Sequence, residues 1–124
     1  METLVNCNLI VDIASVDKVS GDNQMYEVYF TNMDNIKYKL VFDYVWDFRC
    51  AIENAYIDRA TKFSHEEIQK SSVLQVQNSE YIKYFETQVS GTRPIDEIKD
   101  YILFDSIDTI IEFLTLKEPV LIKL

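Results

Sequence analysis

From Leu4 to Ile13 apolar and polar positions alternate, with Val5, Cys7, Leu9, Val11 and Ile13 on one side and Leu4, Asn6, Asn8, Ile10 and Asp12 on the other. A period of two over this length predicts a strand with one face in the core. "DKVSGDNQ" follows, where Gly21, Asp22 and Asn23 read as a loop by their turn chemistry. "MYEVYFT" and "IKYKLVFD" are rich in β-branched and aromatic residues, and "NMDN" joins them as a short hairpin loop. In the second of these, Ile36, Tyr38, Leu40 and Phe42 oppose Lys37, Lys39 and Val41. The three segments predict an antiparallel meander.

At Asp43 the period lengthens. Val45, Phe48, Ile52, Ala55, Tyr56 and Phe63 recur at helical spacing, so "YVWDFRCAIENAYIDRATKF" predicts an amphipathic helix. Asp43 suits its N-cap and Asp47 the positive end of its dipole. "SHEE", Ser64 to Glu67, has capping-box form and predicts one or two helical turns. "SVLQVQ" reads as a short strand, and "NSEYIKYFETQVSG" as a long helix with Ile82, Phe85 and Val89 inward and Gly91 as its stop. "YILF" is a strand. Asp105 then opens a predicted helix with Asp108 near its dipole and Ile107, Ile110, Ile111 and Leu114 on one face; Pro119 halts it, and "VLIKL" closes as a strand. The expected fold class is α+β: an N-terminal antiparallel three-stranded meander followed by helix-strand-helix-strand-helix-strand, in a single mixed sheet packed by helices. Residues 1–124 are expected to form a single globular domain.

Composition supports a packed core. The chain is 48% hydrophobic and 13% aromatic, with two glycines and two prolines, which excludes a disordered tail or a long flexible linker. Cys7 and Cys50 match no metal spacing and read as small buried hydrophobes of a reducing cytoplasm. No stretch approaches the run of about 18 apolar residues that a membrane span needs. "LVNC" near the start resembles a lipoprotein box, but it lacks a basic and an apolar region upstream, so no signal is expected. The expected location is cytoplasmic.

Charge narrows the function further. A net charge of −9 repels phosphate backbones and anionic membranes, so a cationic macromolecule becomes the favoured partner. Catalysis has little to draw on. His65, the sole histidine, falls at an expected helix start, and Gly21 and Gly91 stand alone rather than in a phosphate loop. "DYVWD" and "DSID" bring carboxylates close, as a glycosidase or magnesium site does, yet acids at helix starts serve as caps. No catalytic, cofactor-binding or metal-binding residue is assigned, and no cofactor is expected. The acids instead form two expected helix faces. Asp43, Asp47 and Asp58 lie opposite Phe48 and Ile52, with Arg49 spaced to pair with Glu53; Asp105, Asp108 and Glu112 form the second face. Between Asp96 and Glu118 seven acids meet two lysines, a net −5. Such faces either keep the protein soluble or dock a basic protein, with Trp46 and the tyrosines as anchors.

The segments "YEVYFTNMDNIKYKLVFDYVWDFRCAIENA", "NSEYIKYFETQVSGTR" and "YILFDSIDTIIEFLTLKEPVLIKL" together resemble the small acidic immunity proteins encoded beside polymorphic toxins in Gram-positive bacteria. The resemblance implies a non-catalytic cytoplasmic domain that binds and occludes one cognate toxin. Two other expectations stand beside it: a self-associating interaction domain, for example a homodimer, and a small carboxylate-based metal-dependent enzyme or ligand binder.

Overall fold

The alternation in "MYEVYFT" and "KYKLVF" builds the centre of one sheet. Strands β3 (Met25–Thr31) and β4 (Lys37–Phe42) pair antiparallel, with Val28 opposite Leu40 and Tyr26 opposite Phe42. Val28, Phe30, Leu40 and Phe42 are at most 1% exposed, whereas Lys37 and Lys39 stand on the outer face. β2 (Ser15–Asp22) adds beside β3 and β10 (Val120–Lys123) beside β4, giving the order β10-β4-β3-β2. The computed structural model describes residues 2–52, 64–65, 71–89, 97–107 and 109–124.

A second sheet holds the other strands. They are β1 (Thr3–Asn6), β5 (Val45–Ile52), β6 (Ser64–His65), β7 (Val73–Gln77), β8 (Lys99–Phe104) and β9 (Thr109–Thr115), in the order β5-β9-β8-β7-β1-β6. Every pairing is antiparallel except the short β1–β6 contact. The inner faces of the two sheets share one core: Val28, Phe30, Leu40 and Phe42 meet Val45, Val73, Tyr101, Leu103, Ile111 and Phe113. Phe42 and Phe113 stack across the gap at 4.1 Å. Burying each such side chain contributes about 1.5–3 kcal/mol, which makes this interface the main source of stability. Helix α1 (Glu80–Val89) lies on the outer face of the six-stranded sheet, where Tyr81 packs with Ile98 and Leu114, flanked by Trp46, Ile82 and Phe85.

The expected α+β fold with a single mixed sheet is therefore corrected to two facing, mainly antiparallel sheets, with one helix among the described residues. Three physical causes account for the difference. β9 is buried on both faces: Ile111 and Phe113 face the other sheet while Ile110, Glu112 and Leu114 face outward beneath further structure, and all are at most 6% exposed. A strand covered on both sides loses its alternation and cannot be told from a helix by period alone. β5 does alternate, with Phe48 and Cys50 against Asp47, Arg49 and Ala51, but the same residues also satisfy helical spacing. The helix expected over "YVWDFRCAIENAYIDRATKF" is thus a strand as far as Ile52, and its remainder lies outside the described residues.

The third cause is Gly21. It sits inside β2, opposite Tyr26, rather than in a loop, and a Cβ there would run into the Tyr26 ring. Its hydrogen atoms leave room for that ring to lie across the strand. The turn is only Asn23 and Gln24, with Asn23 in the left-handed region (φ 56°), as a tight hairpin turn favours. The strand expected over residues 4–13 ends as a ladder at Asn6. Beyond it the extended chain crosses between the sheets, with Val11 and Ile13 buried and their amides held by the Ser71 and Ser72 hydroxyls at 3.3 and 2.9 Å. Of "SHEE", Ser64 and His65 pair beside β1 and the rest lies outside the described residues, as does Gly91. Cys7 is half-buried and Cys50 exposed, both as free thiols, so Cys50 is not the buried hydrophobe expected.

Candidate partner-binding site

The two sheets are joined by a very short link. Phe42 ends β4 in one sheet and Val45 begins β5 in the other, so Asp43 and Tyr44 carry the chain across. Tyr44 takes a left-handed conformation (φ 54°), uncommon for a bulky side chain. Its surroundings hold it there: the Tyr44 amide donates to Asp43 Oδ1 at 2.9 Å, Leu116 N donates to the Tyr44 carbonyl, and Val45 N donates to the Gln24 carbonyl at 2.8 Å. That last bond ties the β2–β3 turn to the start of β5. The expected capping role of Asp43 survives only as this contact with its neighbour's amide; no helix follows it.

Immediately after the link, β5 carries a bulge. Val45 pairs with Thr115 and Asp47 with Leu114, leaving Trp46 as the extra residue. Bulges of this kind turn a side chain away from its regular direction. Here β5 is the edge of its sheet, and the re-aimed Trp46 lies 6.0 Å from the Phe85 ring of α1. On the other side of the strand Phe48 meets Tyr26 at 4.6 Å. Between these rings opens a cleft of about 490 Å³, lined by Asn23, Gln24, Tyr26, Trp46, Asp47 and Phe48 together with Val45, Phe85 and Val89. A second hollow of about 440 Å³ borders the same turn and includes Asp22, Met25, Asp43 and Tyr44.

Of the seven residues singled out in the sequence, three are brought together at this end: Asp43, Trp46 and Asp47. Asp58 and Asp108 lie outside the described residues. Asp105 is at the opposite end of β8 and β9, where it organises a turn: Oδ1 accepts from the amides of Ile107 and Thr109 at 3.0 and 2.8 Å, and Oδ2 from Val16 at 3.2 Å. Glu112 belongs to the interior. It is 2% exposed and accepts from Arg49 Nε and Nη2 at 3.0 and 2.8 Å, so the expected Arg49–Glu53 spacing gives way to a cross-strand ion pair. Asp105 and Glu112 therefore do not share a helix face: the first stands on a turn and the second on a doubly covered strand.

Further acids are committed to structure. Asp100 is fully buried and accepts from the Ser79 hydroxyl, which also caps α1 by accepting from Ile82 N at 3.0 Å. Glu118 accepts from Asn8 at its amide and side chain. On the outer face of the four-stranded sheet Glu27 pairs with Lys39, which holds the Glu27 carboxyl below its usual range. Asp47 differs from all of these: it is exposed, and among the described residues no lysine or arginine lies within ion-pair distance of it. Its inner neighbour is Tyr81, 3% exposed, whose ring carries the Arg49 guanidinium at 4.0 Å. Burial first, then the Asp47 carboxylate, push the Tyr81 phenol far above its ordinary pKa. The phenol oxygen has no partner in bonding geometry among the described residues.

Tyr26, Phe48, Phe85 and Gln24 were not singled out by sequence. The signal for Phe48 was the two-residue alternation along β5, and for Gln24 the turn-forming Asn23 before it. Phe85 needs the tertiary packing of α1. Among the described residues, no group of three His, Cys, Asp or Glu side chains converges to hold a metal ion, Asp43 and Asp47 of "DYVWD" included; Asp108 of "DSID" lies outside the described residues. No described helix is long and apolar enough to cross a membrane. No protein-family model, curated protein or solved structure matches the chain.

Proposed function

We propose that this chain is a non-catalytic protein-binding domain that docks a basic protein on its bulged, acidic end, in the manner of the toxin-occluding immunity proteins it resembles. The observation that carries the reading is the coincidence of unmatched acid and accessible apolar surface there. Asp47 lies open beside Trp46, while Met25, Tyr44 and Phe48 are 46%, 43% and 38% exposed within the same short span. Large exposed side chains rimmed by polar groups are what a partner-binding patch requires. The net charge of −9 adds long-range attraction for a cationic surface.

The test is association with the product of the neighbouring reading frame, purified separately, followed by stopped flow across a salt series. Asp43→Lys with Asp47→Lys slows association about tenfold or more at low salt, and Asp105→Lys changes it far less. Equal effects at both ends, or no complex at all, would remove the proposal.

A second reading has its own observation. Val120 and Ile122 on the edge strand β10 are 58% and 40% exposed, and Leu124 just beyond it is 60% exposed. An uncapped apolar edge favours pairing with another copy. Light scattering that finds a stable dimer without any foreign protein supports this self-associating alternative.

A further inference from the structure

β10 lies at one edge of the four-stranded sheet, and among the described residues it pairs with β4 alone. The Leu124 amide donates to the Lys37 carbonyl at 3.1 Å, and an antiparallel ladder alternates bonded with non-bonded pairs. Ile122 opposite Lys39 and Val120 opposite Val41 are therefore bonded pairs, and the backbone N–H and C=O groups of Leu121 and Lys123 point away from β4. Pro119, just before the strand, has no N–H to offer. The side chains alternate as well. Leu121 sits opposite Leu40 and packs against the core, while Val120, Ile122 and Leu124 stand exposed on the outer face beside Val41, Lys39 and Lys37. Those lysines are already answered within the sheet, Lys39 by Glu27 and Lys37 by Asp17.

We infer that β10 pairs antiparallel with β10 of a second copy about a two-fold axis at Ile122, joining two four-stranded sheets into one of eight strands. The inference rests on the self-association reading and deepens it by naming the contact and its register. With Ile122 opposite itself, Leu121 and Lys123 face Lys123 and Leu121 of the second copy. Each outward donor then meets an outward acceptor, two from each copy and four hydrogen bonds in all. On the outer face Val120 meets Leu124 of the second copy on either side of the Ile122 pair, so every exposed apolar side chain of the edge gains an apolar neighbour. The neighbouring registers are worse. An axis at Leu121 puts Pro119 at a bonded position and Glu118 opposite Leu124, and an axis at Lys123 sets two ammoniums against each other. The edge is short, so the contact is small and the dissociation constant is on the order of tens of micromolar. Each copy carries −9, so added salt screens their repulsion and tightens the dimer, the reverse of its effect on a basic partner.

Sedimentation velocity of the full chain over about 1–500 µM finds a reversible dimer that strengthens with salt. Ile122→Lys opposes two charges at the axis and weakens it about tenfold or more. Lys123→Pro removes an outward N–H that β4 does not use, so the fold stays while two of the four bonds are lost, and the dimer weakens by a similar factor. Circular dichroism confirms that both variants are folded. The register is read by oxidation in a Cys50→Ser background: Ile122→Cys forms a disulfide-linked dimer across the axis, and Val120→Cys, which faces Leu124 of the second copy, does not. A chain that stays monomeric over that range overturns both the pairing and the self-association reading. A dimer that either Ile122→Lys or Lys123→Pro leaves at wild-type strength, or that salt dissociates, keeps self-association but removes this edge as its contact. Cross-linking through Val120→Cys in preference to Ile122→Cys overturns the register.

Discussion

Asp47 and Glu112 stand on neighbouring strands and on the same face of one sheet, yet the fold uses them in opposite ways. Glu112 occupies the second position from the edge, beneath a covering layer, and Arg49 reaches across from β5 to meet it. A carboxylate at 2% exposure without a cation would be prohibitively costly, so this ion pair is a condition of folding rather than a surface ornament. Asp47 is two residues along the same edge strand from Arg49 but lies in water at the mouth of a cleft. The contrast teaches that a stripe of acids in a sequence is not one object: its members divide between structural partners and free surface according to how deep each strand lies.

The widest expected difference between the two regions is in stability. Arg49→Ala removes two donors to the buried Glu112 carboxylate and costs about 3 kcal/mol, near the low end for a broken buried pair because about half of the arginine side chain is exposed. Asp47→Ala stays within about 0.5 kcal/mol. Urea denaturation midpoints at constant slope compare the two directly, and similar losses for both would erase the distinction. Ser79→Ala ranks next at about 2 kcal/mol, since it removes both the α1 cap and a donor to the buried Asp100. Loss of helical circular dichroism signal before global unfolding locates the effect.

Tyr81 joins the two regions and gives a smaller, pH-dependent signature. Its folded-state pKa is raised by burial and by Asp47, so the native state keeps a proton that the unfolded chain releases above about pH 10. Stability is therefore full below that pH and falls above it, by up to about 1.4 kcal/mol per pH unit for this ring. Tyr101, buried against the core, adds a fall of the same sign. Tyr81→Phe removes its own share of the alkaline slope. A wild-type slope that survives in Tyr81→Phe would show that Tyr81 does not couple to folding.

Much of the sheet structure was legible before any coordinates. β3, β4, β7, β8, β10 and helix α1 stand where alternation or helical spacing put them. β3 and β4 have one wetter face and α1 carries its own boundary signal in Ser79, whereas β8 is covered on both faces and was legible only as a short apolar run. The departures were largest at β5 and β9, the pair that bears the acids, with β2 hidden by the loop-like Gly21 and the ladder of β1 ending at Asn6. In β9 both faces are covered, and in β5 the residues fit two periods at once. Of the candidate site, Asp43, Trp46 and Asp47 were visible as an acid–aromatic cluster in "DYVWD". The ring opposite them, Phe85, comes from a helix 39 positions further on in the chain than Trp46.

By itself the sequence determined most of the apolar residues that form the core and the excess of negative charge, because hydropathy and formal charge are properties of each residue and its near neighbours. Only the tertiary structure decided that β5 and β9 are strands, that Glu112 is paired inside while Asp47 is open, and that four rings from distant segments enclose one cleft. Those outcomes depend on which elements cover which faces, and coverage is set by contacts between residues far apart along the chain.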